Sequence, residues 1–285
     1  MNENLKTFAT KAEYDTWIAG TYPEPNVSYI EATDEVEFTD YTLAVAPESL
    51  AKFIDVGDFE YTTFSNPSDY LTSIEVPEGV TEIGENAFKE CDMLSDVSLP
   101  STLTTISSSA FFACMSLEEI DIPENVTSIG YAAFFNCPLT EVDFPAALSE
   151  IGSTAFTATA LTSIDLSGTA VTALSTQAFS GCTSLASASL PSALTEIGLR
   201  AFDGCSALAT IDIPSTVTSI KNYAFRDCTA LTSVTVRATT PPVPPTYPFF
   251  TGCTLLEHIY VPAASVEDYK SVWTDYASII TAITE

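Results

Sequence analysis

A repeat with a period of about 23 residues is the feature of this chain that most constrains its fold. Each unit begins at a leucine, and an aliphatic residue follows three positions later. The leucines are Leu71, Leu94, Leu117, Leu139, Leu161, Leu185, Leu208, Leu231 and Leu256. Repetition at so short a period predicts a solenoid, in which each unit buries its apolar residues against its neighbours instead of folding alone.

Each unit opens with a pattern that is typical of a short strand. Apolar residues alternate in the motif Leu-x-x-Ile-x-Leu, as at Ile120 and Ile122. A proline usually comes next and ends the strand, because proline has no N–H group to donate to a sheet. These prolines are Pro77, Pro100, Pro123, Pro145, Pro191, Pro214 and Pro262. The motif therefore predicts a row of short parallel strands, one in each unit.

Two further apolar clusters complete the unit. A second pair of aliphatic residues, such as Val126 and Ile129, comes before a glycine in several units. The motif Ala-Phe-x-x-Cys follows, first at Ala87, Phe88 and Cys91. Three clusters that face inward in every unit predict a coil with three sides.

The seven cysteines all stand at the same repeat position. They are Cys91, Cys114, Cys137, Cys182, Cys205, Cys228 and Cys253, and Thr159 takes this position in the unit that lacks one. Metal sites need ligands at short spacings with histidine partners, whereas these cysteines are one unit apart. Their odd number and identical positions also argue against disulfides. The pattern favours buried thiols packed beside the phenylalanines.

The net charge of −29 excludes several classes of partner. Nucleic acid recognition depends on Lys and Arg, of which the chain has nine against 38 Asp and Glu. Anionic membranes are disfavoured for the same reason, and no apolar run is long enough to predict a membrane span. The first residues lack the blocks of a secretion signal. The sequence thus leaves two alternatives, a cytoplasmic protein or a secreted protein whose signal was removed.

Together, the three motifs resemble the BspA-like leucine-rich repeat family over residues 71–285. The resemblance implies a right-handed superhelical repeat solenoid, mostly β and irregular, with short parallel strands and a helical C-terminal cap. It also implies a bacterial protein, secreted or displayed on the cell surface, that adheres to host proteins or other cells. Three residues depart from the pattern: Ser167 and Arg237 replace the usual proline, and Phe249 replaces the alanine before Phe250.

Both ends of the array are predicted to be capped, since an open solenoid end exposes apolar edges. Residues 1–70 form the N-terminal cap, with a helix opening at Thr10, a hairpin between Val27 and Phe38 and a degenerate repeat from Phe53 to Phe64. Residues 71–255 form the repeats. Residues 256–285 form the last strand and a helix that begins at Ser265 with a capping box. The C-terminal helix is predicted to bury one apolar stripe: Val266, Tyr269, Trp273, Tyr276 and Ile280.

The sequence contains no recognisable catalytic constellation. His258 is the only histidine, and the sequence offers neither a free nucleophilic Cys nor a Ser with a nearby base, so no triad can be assembled. Phosphate loops, zinc signatures and dinucleotide fingerprints are also missing. We therefore expect no enzyme, no cofactor and no metal site.

An acidic surface is the first candidate for a partner site. Two positions of each predicted strand face outward, and many of them hold acids. Glu75, Asp121, Asp143, Asp165 and Asp212 occupy one position, and Asp96, Glu119 and Glu141 occupy the other. Two interpretations stay open: a solvated face, or a contact surface for a basic partner or a weakly bound cation.

An aromatic group is the second candidate. Phe112 and Phe135 follow the core phenylalanine in adjacent units, where other units have polar residues, and Tyr131 lies nearby in sequence. Either these rings form an exposed patch for a partner, or they pack beneath neighbouring loops. The leading functional hypothesis is a non-enzymatic binding protein for an unidentified protein partner. The alternatives are a glycan-binding solenoid and a purely structural or assembly module.

Overall fold

The computed structural model describes residues 41–43, 71–76 and 78–284. The predicted N-terminal helix, hairpin and degenerate repeat lie outside these residues. Over the repeats the chain winds as a parallel-strand solenoid of about nine turns, which confirms the predicted fold class. No helix in the described ranges is long and apolar enough to cross a membrane.

The strands of the Leu-x-x-Ile-x-Leu motif, together with one strand of the C-terminal cap, form one row along the solenoid, which we call the first strand row. Its members are β2 (Ser73–Glu75), β4 (Asp96–Ser98), β8 (Ser163–Asp165), β10 (Ser187–Ser189), β12 (Thr210–Ile213), β14 (Ser233–Val236), β15 (His258–Val261) and, from the cap, β16 (Ile280–Ala282). All pairings in this row are parallel, with equivalent residues side by side, as Ile211 lies beside Val234. One side chain of each strand therefore faces the core and its flanking neighbours face outward.

A second strand row runs along another side of the coil. It contains β1 (Tyr41–Leu43), β3 (Val80–Ile83), β5 (Thr105–Ile106), β6 (Ser128–Ile129), β7 (Glu150–Ile151), β9 (Ala173–Leu174), β11 (Glu196–Ile197) and β13 (Ser219–Ile220). The sequence pattern predicted an apolar pair here but no strand. The pairs nonetheless form short parallel ladders, β1-β3-β5-β6-β7 and β9-β11-β13.

The third side carries the Ala-Phe-x-x-Cys turns, and their phenylalanines form a continuous column in the core. From Phe88 to Phe250, successive rings stack with centroids 5.2–5.7 Å apart. The cysteines form a parallel column in which the six thiols from Cys114 onward donate to the carbonyl of the preceding unit's phenylalanine, as Cys137 Sγ does to Phe111 O at 2.9 Å. All seven are free thiols, which confirms the prediction for six; Cys253 is partly exposed.

Two units depart from the predicted row of strands. Residues 119–121 and 141–143 form no strand, although their backbones stay close, with Thr140 N donating to Glu118 O at 3.0 Å. These two units carry Glu119 with Asp121 and Glu141 with Asp143 at equivalent positions. Like charges on neighbouring strands oppose close pairing, which explains why the ladder is interrupted there.

The predicted helical C-terminal cap is confirmed, and its helix starts directly after Ser265, but this helix is shorter than predicted. The helix α1 covers only Val266–Val272, a 3-10 helix follows over Thr274–Ile279, and Ile280 starts strand β16 beside β15. Ser265 makes no side-chain cap, because its hydroxyl donates to Thr239 O at 2.7 Å instead. The helix through Ile280 and the capping box are therefore wrong. The predicted burial of Tyr269, Trp273 and Ile280 is confirmed.

Candidate functional site

Five carboxylates of the middle units lie on the side of the coil that carries the first strand row: Glu119, Asp121, Glu141, Asp143 and Asp165. We call this set the acidic stripe. Every member is exposed, since the alternating apolar residues beside it point into the core. Consecutive units bring the members together along the solenoid axis. Asp96, also exposed, extends the stripe by one unit.

Glu75 and Asp212 share the repeat position of the stripe but not its surroundings. Glu75 is exposed beside Ser98, its register partner in β4, and this serine separates it from Asp121. Asp212 accepts two short hydrogen bonds from Arg237, with Nη2 at 2.6 Å from Oδ2. The charge of Asp212 is therefore balanced. For these two different reasons, neither Glu75 nor Asp212 belongs to the acidic stripe.

The acidic stripe lies in a part of the chain that has no basic residue. No Lys, Arg or His occurs between Lys89 and Arg200, whereas twelve Asp and Glu do. Every Lys and Arg among the described residues pairs with a nearby acid, in the pairs Lys89–Glu90, Arg200–Asp203, Lys221–Glu196, Arg226–Asp203, Arg237–Asp212 and Lys270–Glu267. None of these pairs includes a stripe carboxylate.

Asp165 is the one stripe residue with a distinct local environment. Ser167 stands where most units have proline, and its backbone N–H donates to Asp165 Oδ1 at 2.9 Å. The hydroxyl of Ser167, and then this amide, lower the pKa of Asp165 below its ordinary value. The carboxylate is thereby held in its charged form.

The aromatic candidates separate into two surfaces. Phe112 and Phe135 are half-buried and stack on each other with centroids 4.9 Å apart, and Lys89 Nζ lies 5.4 Å from the Phe112 ring. Tyr131 is 58% exposed, and among the described residues no ring contact joins it to either phenylalanine. The three side chains thus form no single exposed patch.

The buried thiols are poor candidates for chemistry. Burial raises the pKa of Cys182 to about 11 and raises that of Cys205 well above its ordinary value. A thiol that stays protonated is a hydrogen-bond donor and a weak nucleophile. The described residues contain no group of three His, Cys, Asp or Glu arranged to hold a metal ion. His258 is exposed and stacks on Tyr260 at 5.6 Å.

The repeat motif and the stacked parallel strands define the chain as a leucine-rich repeat solenoid, a class that typically serves as a binding scaffold without catalysis. The model of the BspA type leucine rich repeat region, which spans six copies, matches residues 55–162, 104–232 and 149–275. The chain therefore belongs to the BspA-type leucine-rich repeat family. No curated protein matches its sequence significantly.

Several solved structures are similar to this chain. A leucine-rich repeat protein from T. pallidum is 28% identical, with a TM-score of 0.50 over 64% of this chain and 77% of that chain. A leucine-rich cell surface protein from Faecalibacterium prausnitzii is 22% identical, with a TM-score of 0.33 over 76% of this chain and 78% of that one. The pneumococcal vaccine antigen PcpA is 18% identical, with a TM-score of 0.45 over 75% and 68%.

Proposed function

We propose that this protein is a secreted or surface-displayed binding protein, without enzymatic activity, that attaches to a basic segment of another protein through the acidic stripe. Membership of the BspA-type family supports a role in protein interaction. The observation that carries the proposal is the contrast in charge pairing. The stripe carboxylates have no basic residue in their own part of the chain, whereas acids of the C-terminal units have Arg or Lys partners.

The spacing of the stripe suits a regular basic partner. In the core of these units the rings of Phe111, Phe134 and Phe156 follow one another at 5.3 Å, and neighbouring parallel strands lie about 4.8 Å apart, so stripe carboxylates of adjacent units repeat at roughly 5 Å. An α-helix advances about 5.4 Å per turn, so a helix with one Lys or Arg per turn would offer cations at the same interval. Matching rows of opposite charge raise the rate of association and fix the register of the partner.

Binding of a basic helical peptide at two salt concentrations tests the proposal. The probe carries one Arg per turn, and the reference peptide carries Glu at the same positions. Asp121→Asn with Asp143→Asn and Asp165→Asn removes three stripe charges. We expect this variant to lose affinity by about tenfold or more, and the wild type to weaken as salt rises from about 0.02 to 0.15 M.

A second triple variant separates the stripe from net charge. Asp92→Asn with Glu124→Gln and Glu150→Gln removes three exposed acids outside the acidic stripe from the same cation-free part of the chain. This control should keep most of the wild-type affinity. An equal loss in both triple variants would show that total charge, not the stripe, attracts the peptide, and would overturn the proposal.

A further inference from the structure

The Pro-rich segment Thr239–Tyr247 is longer than unit stacking requires, yet it is held in place at several points. Val243 forms a parallel bridge to Ser219, and the Tyr247 amide donates to Asn222 Oδ1 at 3.1 Å. From the cap, Trp273 Nε1 donates to Pro242 O at 2.9 Å. A loop that is fixed on both sides is a suitable wall for a binding site, because binding a ligand then costs little additional conformational entropy.

This loop closes one end of a cleft on the second strand row. The cleft is wide open to solvent and has a volume of about 620 Å³, and its floor is formed by β9, β11 and the residues that follow them. Pro245 and Thr246 of the loop form one wall of the cleft. Leu199, whose side chain is 38% exposed, also lines the cleft. Tyr247, next to Thr246, is 53% exposed and stacks on Tyr223 at 5.3 Å.

The lining combines polar and apolar groups and has no net charge. Hydroxyl and amide groups come from Ser175, Thr176 and Asn222, among others. The charged groups are Glu196 and Lys221, which pair at 2.8 Å while remaining partly exposed. A carboxylate has up to four acceptor positions and an ammonium has three donors, so both keep hydrogen-bonding capacity beyond their mutual contact.

We propose that this cleft binds a neutral oligosaccharide. A chain of sugar hydroxyls, each both donor and acceptor, matches a lining of hydroxyls, an amide and a balanced ion pair. The apolar faces of the sugar rings would lie against Leu199 and Pro245. An added peptide strand fits less well, because β11 is already paired on both edges by β9 and β13. The cleft lies on a different strand row from the acidic stripe, so this site is independent of the proposed function.

Calorimetric titration with neutral hexasaccharides tests the site. The probes are maltohexaose, cellohexaose and mannohexaose, with hexagalacturonic acid as the anionic counterpart. We expect at least one neutral probe to bind with a Kd of about 1 mM or tighter, and the anionic probe to bind at least about tenfold more weakly. The absence of binding by all three neutral probes, or equal binding of the anionic one, would overturn the proposal.

Two matched pairs of variants locate the binding. Thr176→Trp fills the cleft, whereas Ser108→Trp places the same bulk at the same repeat position outside it. Glu196→Ala with Lys221→Ala removes the ion pair of the cleft, and Asp212→Ala with Arg237→Ala removes an exposed pair on the other row. Only the cleft variants should lose affinity, by about tenfold or more, with circular dichroism unchanged. Loss in the control variants, or retention in the cleft variants, would place the sugar elsewhere and refute the site.

Discussion

Thr159 stands where the neighbouring units carry a cysteine, and its contacts show what the position requires. Its hydroxyl lies 3.1 Å from Phe156 O and 3.2 Å from Cys182 Sγ. The residue is buried, with only 3% of its surface exposed to solvent. A small side chain with one donor therefore fits the position. Without a donor at this position, a buried backbone carbonyl of the column would lose a hydrogen-bond partner, which is unfavourable away from water.

Replacing this hydroxyl by a methyl group should destabilise the protein. We expect Thr159→Val to lower the free energy of unfolding by about 1 kcal/mol, the net value of one hydrogen bond. Thr159→Cys, which restores the column, should change it by less than about 0.5 kcal/mol. Urea unfolding followed by circular dichroism measures both. A valine variant as stable as the wild type would show that packing alone decides the position.

Asp165 offers a test of local electrostatics. Ser167→Pro removes both the hydroxyl and the amide that lower its pKa, so the pKa of Asp165 should rise towards the ordinary value of an aspartate. A depressed pKa adds stability above the unfolded pKa, and this contribution is lost as pH falls through the folded pKa. NMR titration of the Asp165 carboxyl carbon measures the shift. Ser167→Ala, which keeps the amide, should give an intermediate pKa, and an unchanged pKa in the proline variant would contradict the assignment.

The Ala-Phe-x-x-Cys turn imposes a backbone cost on every unit. The residue before the cysteine, or before Thr159 in the unit that lacks one, has a positive φ in each described turn, as in Ala113 at 57°, Ala158 at 59° and Gly204 at 77°. The left-handed region costs a residue with a Cβ roughly 1 kcal/mol or more. Glycine relieves this cost, but only Gly181, Gly204 and Gly252 use it.

Exchanges at this position should therefore change stability in opposite directions. We expect Ala158→Gly to raise the free energy of unfolding by about 0.5–1 kcal/mol and Gly204→Ala to lower it by about 1 kcal/mol. A Cβ at Gly204 would meet its nearest atoms at 3.7 Å, so the loss comes from the backbone and not from a clash. Chemical denaturation of both variants measures the effect. Changes of the same sign would rule out the backbone explanation.

The elements differ in how far the sequence predicts them. The Leu-x-x-Ile-x-Leu strands follow from alternation and proline, and the cysteine column follows from one repeated position. The second strand row could not be derived, because two apolar residues per unit are too short a pattern to distinguish a strand from a turn. The pattern overstates the length of the cap helix, because Trp273 and Ile280 keep a helical spacing although the helix ends at Val272. The capping box does not form, because the Ser265 hydroxyl donates to Thr239 O in the loop.

The candidate sites show the same division at the scale of the whole molecule. The acidic stripe was predictable in position, since equivalent residues of neighbouring units must lie side by side. The pairing of Asp212 with Arg237 was not, because the arginine replaces a proline 25 positions later. The cleft depends on how one irregular loop meets β13, and no local pattern in residues 239–247 encodes that contact.

Self-repulsion of the acidic units should make the stability of the solenoid depend on salt. At a net charge of −29, with no cation between Lys89 and Arg200, exposed carboxylates repel one another over distances that salt screens. Raising NaCl from about 0.02 to 0.5 M shortens the screening length below about 5 Å. We expect Tm to rise by about 2–4 °C for each kcal/mol of repulsion that is relieved.

The two triple variants identify where this repulsion lies. Asp121→Asn with Asp143→Asn and Asp165→Asn should raise Tm at low salt and flatten its dependence on NaCl, because these carboxylates follow one another on adjacent units. The control with Asp92→Asn, Glu124→Gln and Glu150→Gln should keep more of the salt dependence, since its members lie at three different repeat positions. Differential scanning calorimetry at several salt concentrations compares them. An equal dependence of Tm on NaCl in the two variants would mean that repulsion is spread over the whole surface. The interruption of the first strand row at residues 119–121 and 141–143 would then need a cause other than the stacked carboxylates.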